Sequence, residues 1–183
     1  MRLAVTTSTV VLVALSVLAH ELAHGYTALA VGDDTAQRAG RLSWNPLRHV
    51  DPWLTVVVPL ACWLLSHGTC VLGGAKPVPV SPMRYREPER GDVLVSLAGV
   101  TANAIILLAA VVLRPLSDGL GLGIVAARVI AINAALIVFN LLPIPPLDGW
   151  RVARCVIRAR RRRRVLAQLA QLAQLAQLGK SEA

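Results

Sequence analysis

Four long stretches of this sequence, residues 3–19, 53–66, 93–113 and 129–147, contain no Asp, Glu, Lys or Arg. A helix of that length in water needs a polar face, so the absence excludes an ordinary soluble domain. Each stretch is long enough, or nearly so, to cross a hydrocarbon core about 30 Å thick. Cysteine is equally sparse. Cys62, Cys70 and Cys155 are odd in number and form no CxxC pair, which argues against a disulfide framework and against a thiolate zinc site. They read as small apolar residues in or near membrane segments. Proline is missing from residues 3–31, which therefore read as one long helix, stopped by Gly32 and the Asp33-Asp34 pair. The apolar pattern continues through Ala23, Ala28 and Val31. The run ending at Ala19 thus reads as the first half of a helix, not as a signal peptide cut before His20.

What is present is mostly apolar: 55% of the 183 residues, with 16% charged and a mean hydropathy of +0.60. The length suits one domain. The expected fold is an all-α polytopic membrane protein with three to four apolar segments and short extended or β segments in the loops. The segments are 3–31, 53–72 (interrupted by Pro59), 92–113 and 124–142. Residues 36–52, punctuated by Gly40, Pro46 and Pro52, read as turns or short strands. Residues 75–91 hold four prolines and read as extended or looped. Residues 1–158 form the expected membrane domain. Residues 159–183 form a tail that combines a basic run with the repeat VLAQLAQLAQLAQL. Leu at every third position drifts around a helix, so the repeat predicts only a loosely specified amphipathic helix.

The net charge of +9 has a local origin, since eight arginines lie between Arg151 and Arg164, five of them consecutive from Arg160. Arginines just beyond a hydrophobic span mark the cytoplasmic side of a membrane. The run is read in that way, with membrane lipid as its partner and no nucleic acid.

The chemistry-bearing signal is HELAH at 20–24. Histidines four apart share a helix face, so His20 and His24 can reach one metal ion, and Glu21 between them can take a proton from water at that metal. An ionisable group inside an apolar helix costs several kcal/mol unless it faces a partner or a polar cavity. Of the ten acidic residues, only Glu21 and Asp148 read as sitting in apolar surroundings. A catalytic zinc takes three protein ligands plus an open position. Two histidines and one stray carboxylate match that stoichiometry. Asp148 follows Pro143, Pro145 and Pro146, which forbid helix there and imply a protein-lined or watery cavity.

HELAH in the first helix and FNLLPIPPLDG at 139–149 together resemble the site-2 protease family of intramembrane zinc metalloproteases, in a compact bacterial-type form. The likeness extends through GRLSWNPLRHVDP (40–52), GGAKPVPVSP (73–82) and SLAGVTANA (96–104), and so covers roughly residues 12–155. It implies one Zn2+ per chain on His20, His24 and Asp148, Glu21 as general base, and a transmembrane protein as substrate. It also implies that Asn140 and Asn103 hydrogen-bond the substrate backbone or the developing oxyanion. Where the family usually has proline after Ala-Gly, this chain has Val100. No PDZ-like insertion is expected.

Three ligands on one zinc must lie at one depth, which favours three crossings over four, with 53–72 dipping in and returning. Three crossings also place Arg38, Arg41, Arg48, Lys76, Arg84, Arg86, Arg90 and the arginine tail on one side, expected to be the cytoplasm. Two other readings stand beside the protease. One is a non-proteolytic membrane scaffold that keeps the metal for structure. The other is a small metal transporter with His20, His24 and Asp148 along its path, which would need further polar residues such as His67 and Asn133 to line it.

Overall fold

The computed structural model describes residues 2–67 and 73–181. Cys70 and the end of the second apolar segment lie outside the described residues. The chain is helical: α1 (Arg2–Ala30), α2 (Thr35–Arg38), α3 (Val58–Leu65), α4 (Pro88–Val112), α5 (Arg114–Gly119), α6 (Gly123–Asn140) and α7 (Asp148–Ser181). Short 3-10 turns at Pro46–His49 and Pro82–Arg84 and a π-helical turn at Pro52–Val57 complete it.

Three helices are long and apolar enough to cross a membrane: Thr7–Ala30 of α1, Pro88–Val112 (α4) and Gly123–Asn140 (α6). The helical stretch Pro52–Leu65 is also apolar but shorter. At about 1.5 Å per residue it falls short of a hydrocarbon core about 30 Å thick. The protein is therefore an all-α polytopic membrane protein.

The expected β segments do not form among the described residues. Residues 36–52 resolve into a short helix, turns and a 3-10 turn, while 73–81 run extended. The second segment is extended as its prolines implied, and Pro77 and Pro79 have no N–H to give a ladder. The connection at Arg114 and Pro115 is a short helix with Pro in its first turn. Helix α1 runs unbroken through Ala19 and His20, and α7 runs unbroken through residues 158 and 159.

Helix α4 packs against α1, α6 and α7. His24 meets Val95 and His20 meets Asn103, so α1 and α4 are antiparallel. Arg128 donates to the Ser8 hydroxyl (2.8 Å) and Asn133 to the Ser16 hydroxyl (3.1 Å), so α6 runs parallel to α1. Lipid-exposed helices gain little from apolar contact with one another, and such polar bonds help set their register. The C-terminal ends of α1 and α6 thus meet the N-terminal end of α4, as three crossings require. From there α7 departs, held by Cys155, whose thiol donates to Asp92 Oδ2 at 3.1 Å, and by Arg162 on Glu89 at 2.6 Å.

Candidate metal centre

Helix α1 buries Ser16, His20, His24 and Ala28 along one face. This is the line that a four-residue spacing draws on a helix. His20 and His24 are each only 6% exposed, although their helix is read as lying in a membrane. Their space comes from α4. Gly99 lies under both imidazoles, and a Cβ there would come within 2.5 Å of Nε2 of either ring.

The third residue arrives on another helix. Three prolines end α6 and turn the chain through 141–147, so that Asp148 becomes the first residue of α7. A carboxylate in that position is favoured by the helix dipole. Gly149 lets the turn close, because a Cβ there would run into the carbonyl carbon of Leu141 and the carbonyl oxygen of Leu142, at 2.5 and 2.6 Å.

The outcome is a nearly equilateral triangle of donor atoms. Asp148 Oδ2 lies 3.1 Å from Nε2 of His20 and 3.1 Å from Nε2 of His24, and the two Nε2 atoms are 3.1 Å apart. Tetrahedral zinc with bonds of about 2.0–2.2 Å sets its ligands about 3.3 Å apart. The protonation pattern also fits a metal. His24 Nδ1 donates to the Val95 carbonyl at 2.6 Å, which fixes the tautomer and leaves the Nε2 lone pair facing the carboxylate. Asp148 Oδ2 is buried without a hydrogen-bond donor. Lone pairs crowded onto one buried point call for a cation. Asn103 Nδ2 lies 3.1 Å from His20 Nδ1, and Asn103 Oδ1 is buried without a partner; ligation through His20 Nε2 requires a proton on Nδ1, which Oδ1 accepts once the amide is turned over.

Glu21 is half-buried, and its Oε2 accepts the backbone N–H of Val78 at 2.8 Å. Asn140 ends α6, where its amide donates to the Leu136 carbonyl at 3.0 Å. None of its hydrogen bonds among the described residues reaches the triad. The transporter path gains nothing: Asn133 is engaged with Ser16 and the Val129 carbonyl, and His67 is exposed beyond the end of α3.

Three contributors escaped the sequence reading. Gly99 acts by what it leaves empty, while Val95 and Val78 act through backbone atoms, and none of these carries a side-chain signal. The reading of the acids also needs correction. Asp33 is fully buried as well, because the segment around Ser81 folds back over the end of α1. Burial pushes its carboxyl up, but the hydroxyl and N–H of Thr35 and the N–H of Ser81 outweigh that and hold it below the usual carboxylate range.

Comparison with known proteins finds zinc metalloproteases. Residues 119–179, which include Asp148 but not HELAH, match the family model described as peptidase family M50. The chain is 38% identical over 143 residues to "Putative zinc metalloprotease YwhC" of Bacillus subtilis, covering 73% of this chain and 61% of that protein. It is 32% identical over 141 residues to "Putative zinc metalloprotease Rip2" of Mycolicibacterium smegmatis, covering 74% and 52%. The Mycobacterium tuberculosis protein of the same name is 35% identical over 140 residues, covering 74% and 51%. The chain thus spans about half to three-fifths of the length of these relatives. No solved structure matches it. Joined to the ligand triangle and the three apolar helices, these matches support a member of the site-2 protease family, peptidase family M50.

Proposed function

We propose that this chain is a zinc-dependent intramembrane endopeptidase that hydrolyses a peptide bond of a transmembrane substrate, using one zinc per chain. The observation that carries the reading is the triangle of His20, His24 and Asp148, built from two helices and sized for zinc. Zinc, when bound, would supply Lewis acidity toward the scissile carbonyl and make water nucleophilic near neutral pH.

The other steps belong to side chains. Glu21, adjacent to His20, takes the proton of the attacking water and passes it to the leaving amine. Asn103 is turned toward His20, so its part is to hold that ring and not to bind substrate. Asn140, at the end of α6, is the candidate to bind the substrate backbone or the developing oxyanion. A substrate helix must first unwind locally, because its carbonyls are otherwise engaged in intrahelical bonds. Residues 77–79 can offer such a strand only acceptors, since the prolines lack N–H and Val78 donates to Glu21. The end of the bundle that carries the ligands also carries Arg38, Arg41, Arg48, Arg84, Arg86, Arg90 and the arginine-rich start of α7. The positive-inside rule then makes that end cytoplasmic.

The test is zinc quantification on purified wild type, His20→Ala and Asp148→Ala, beside cleavage of a membrane substrate whose helix has been destabilised. Wild type should hold one zinc and cleave, and both variants should lose both properties. Zinc without cleavage of any membrane helix would leave a scaffold, and metal flux into liposomes a transporter.

A further inference from the structure

We infer that the backbone N–H of Val78 is the positioning group for Glu21: it fixes one carboxylate oxygen so that the other faces the reacting water. The inference rests on the peptidase reading above and assigns a catalytic task to the segment 76–81.

The bond joins residues far apart in the chain, from Val78 N to Glu21 Oε2 at 2.8 Å. Pro77 and Pro79 have no N–H, so Val78 holds the only backbone donor of residues 77–79. Pro79 also keeps Val78 out of the helical region, which limits the directions that donor can point. The segment is fastened on both sides of Val78. Before it, Lys76 N donates to the His49 carbonyl (2.8 Å), and Arg41 donates to the Lys76 carbonyl (2.7 Å). After it, Ser81 N donates to buried Asp33 (2.5 Å), and Arg86 N donates to the Val31 carbonyl (2.9 Å). The Val78 side chain is 6% exposed and lies over Gly25, where an added Cβ would approach Val78 Cγ1 to 2.9 Å. The donor therefore belongs to a strap tied to the end of α1 and not to a swinging loop.

A glutamate has three rotatable side-chain bonds, and proton transfer needs its oxygen within hydrogen-bond reach of the water. Fixing Oε2 removes much of that freedom and leaves Oε1 for the proton. A carboxylate in an apolar helix also needs a partner when no substrate is present, and this bond provides one.

Two measurements test the proposal. In hydrogen exchange, residues 77–79 have one exchangeable amide, so the signal there is that of Val78. Glu21→Ala should speed its exchange about tenfold or more while zinc content stays at the wild-type level, because Glu21 is not a ligand. Unchanged exchange overturns the bond. In kinetics, Val78→Pro deletes the N–H and preserves the extended backbone. It should keep its zinc, leave KM within about twofold, and lower kcat about 10- to 100-fold, the loss expected for a group misplaced by about 1 Å. Val78→Ala keeps the N–H and should lose less. On a Glu21→Gln background, Val78→Pro should add little. Wild-type kcat in Val78→Pro, or an equal loss in Val78→Ala, overturns the positioning role. A zinc-loaded wild type that cleaves nothing overturns the peptidase reading instead, and the catalytic assignment falls with it, whatever the exchange shows.

Discussion

Gly99→Ala puts the geometry of the centre to its sharpest test. The new Cβ would sit 2.5 Å from Nε2 of both histidines. Ordinary carbon contacts begin at about 3.5 Å, so the rings or α4 must yield by roughly 1 Å. A zinc site tolerates ligand displacements of only about 0.2 Å. Zinc affinity should therefore fall about 10- to 100-fold, the usual range for disturbing a ligand's immediate support, or about 1.4–2.7 kcal/mol. The helix itself works against this loss, because Gly→Ala within a helix is worth up to about 1 kcal/mol where space allows. Secondary structure and helix content should accordingly remain, and the damage should be confined to metal binding. Chelator competition on detergent-purified protein measures the affinity. Gly119→Ala serves as the control, since its Cβ meets nothing within 4 Å. Gly99→Ala protein with wild-type zinc affinity would refute the triangle as a metal site.

Four further outcomes follow from named contacts. Glu21→Gln should retain zinc and lose cleavage, and substantial proteolysis by a metal-replete variant would remove Glu21 as base. Cysteine labelling between residues 36 and 50 should succeed only from the cytoplasmic side, and access from outside would defeat the three-crossing arrangement. The Cys155 thiol is pushed up to about 11 by burial and by Asp92, so maleimide should label it slowly at neutral pH and faster in Asp92→Asn. Rapid labelling of wild type at pH 7 would contradict the Cys155–Asp92 bond. Asp33→Asn should cost about 1–3 kcal/mol at neutral pH by weakening the bonds to Thr35 and Ser81. The folded carboxyl lies below its ordinary value, so the stabilisation is complete above about pH 4 and is lost as pH falls through the lower folded value. Thermal unfolding should then show wild type and variant converging in acid, and a gap that stays constant down to about pH 2 would refute the assignment.

The membrane helices were legible because their signal is one-dimensional: a run free of charge either is or is not long enough to span. Their edges shifted by a few residues where local chemistry took over, as at Pro88, which begins α4 as a first-turn proline. For residues 36–52 turns won over short strands, whereas the proline-rich 73–81 runs extended as read, with its donors and acceptors taken by side chains and loop carbonyls. Asp33 looked like a solvated loop acid because nothing near it in sequence announces Ser81, which closes over it.

The cluster of His20, His24 and Asp148 was also readable in advance as a candidate ligand set, because HELAH encodes a helix face and a buried-carboxylate census leaves few candidates for the third position. Sequence alone thus determined the class of protein, the helices and the donor atoms available to a metal. Only the tertiary structure decided that Asp148 reaches the histidines, that Gly99 makes room for them, and that Asn103 turns toward His20 while Asn140 stays with its own helix. It also joined Val78 to Glu21. Those outcomes depend on helices approaching to contact distance and on backbone atoms that every residue carries alike, so no pattern of side chains can announce them.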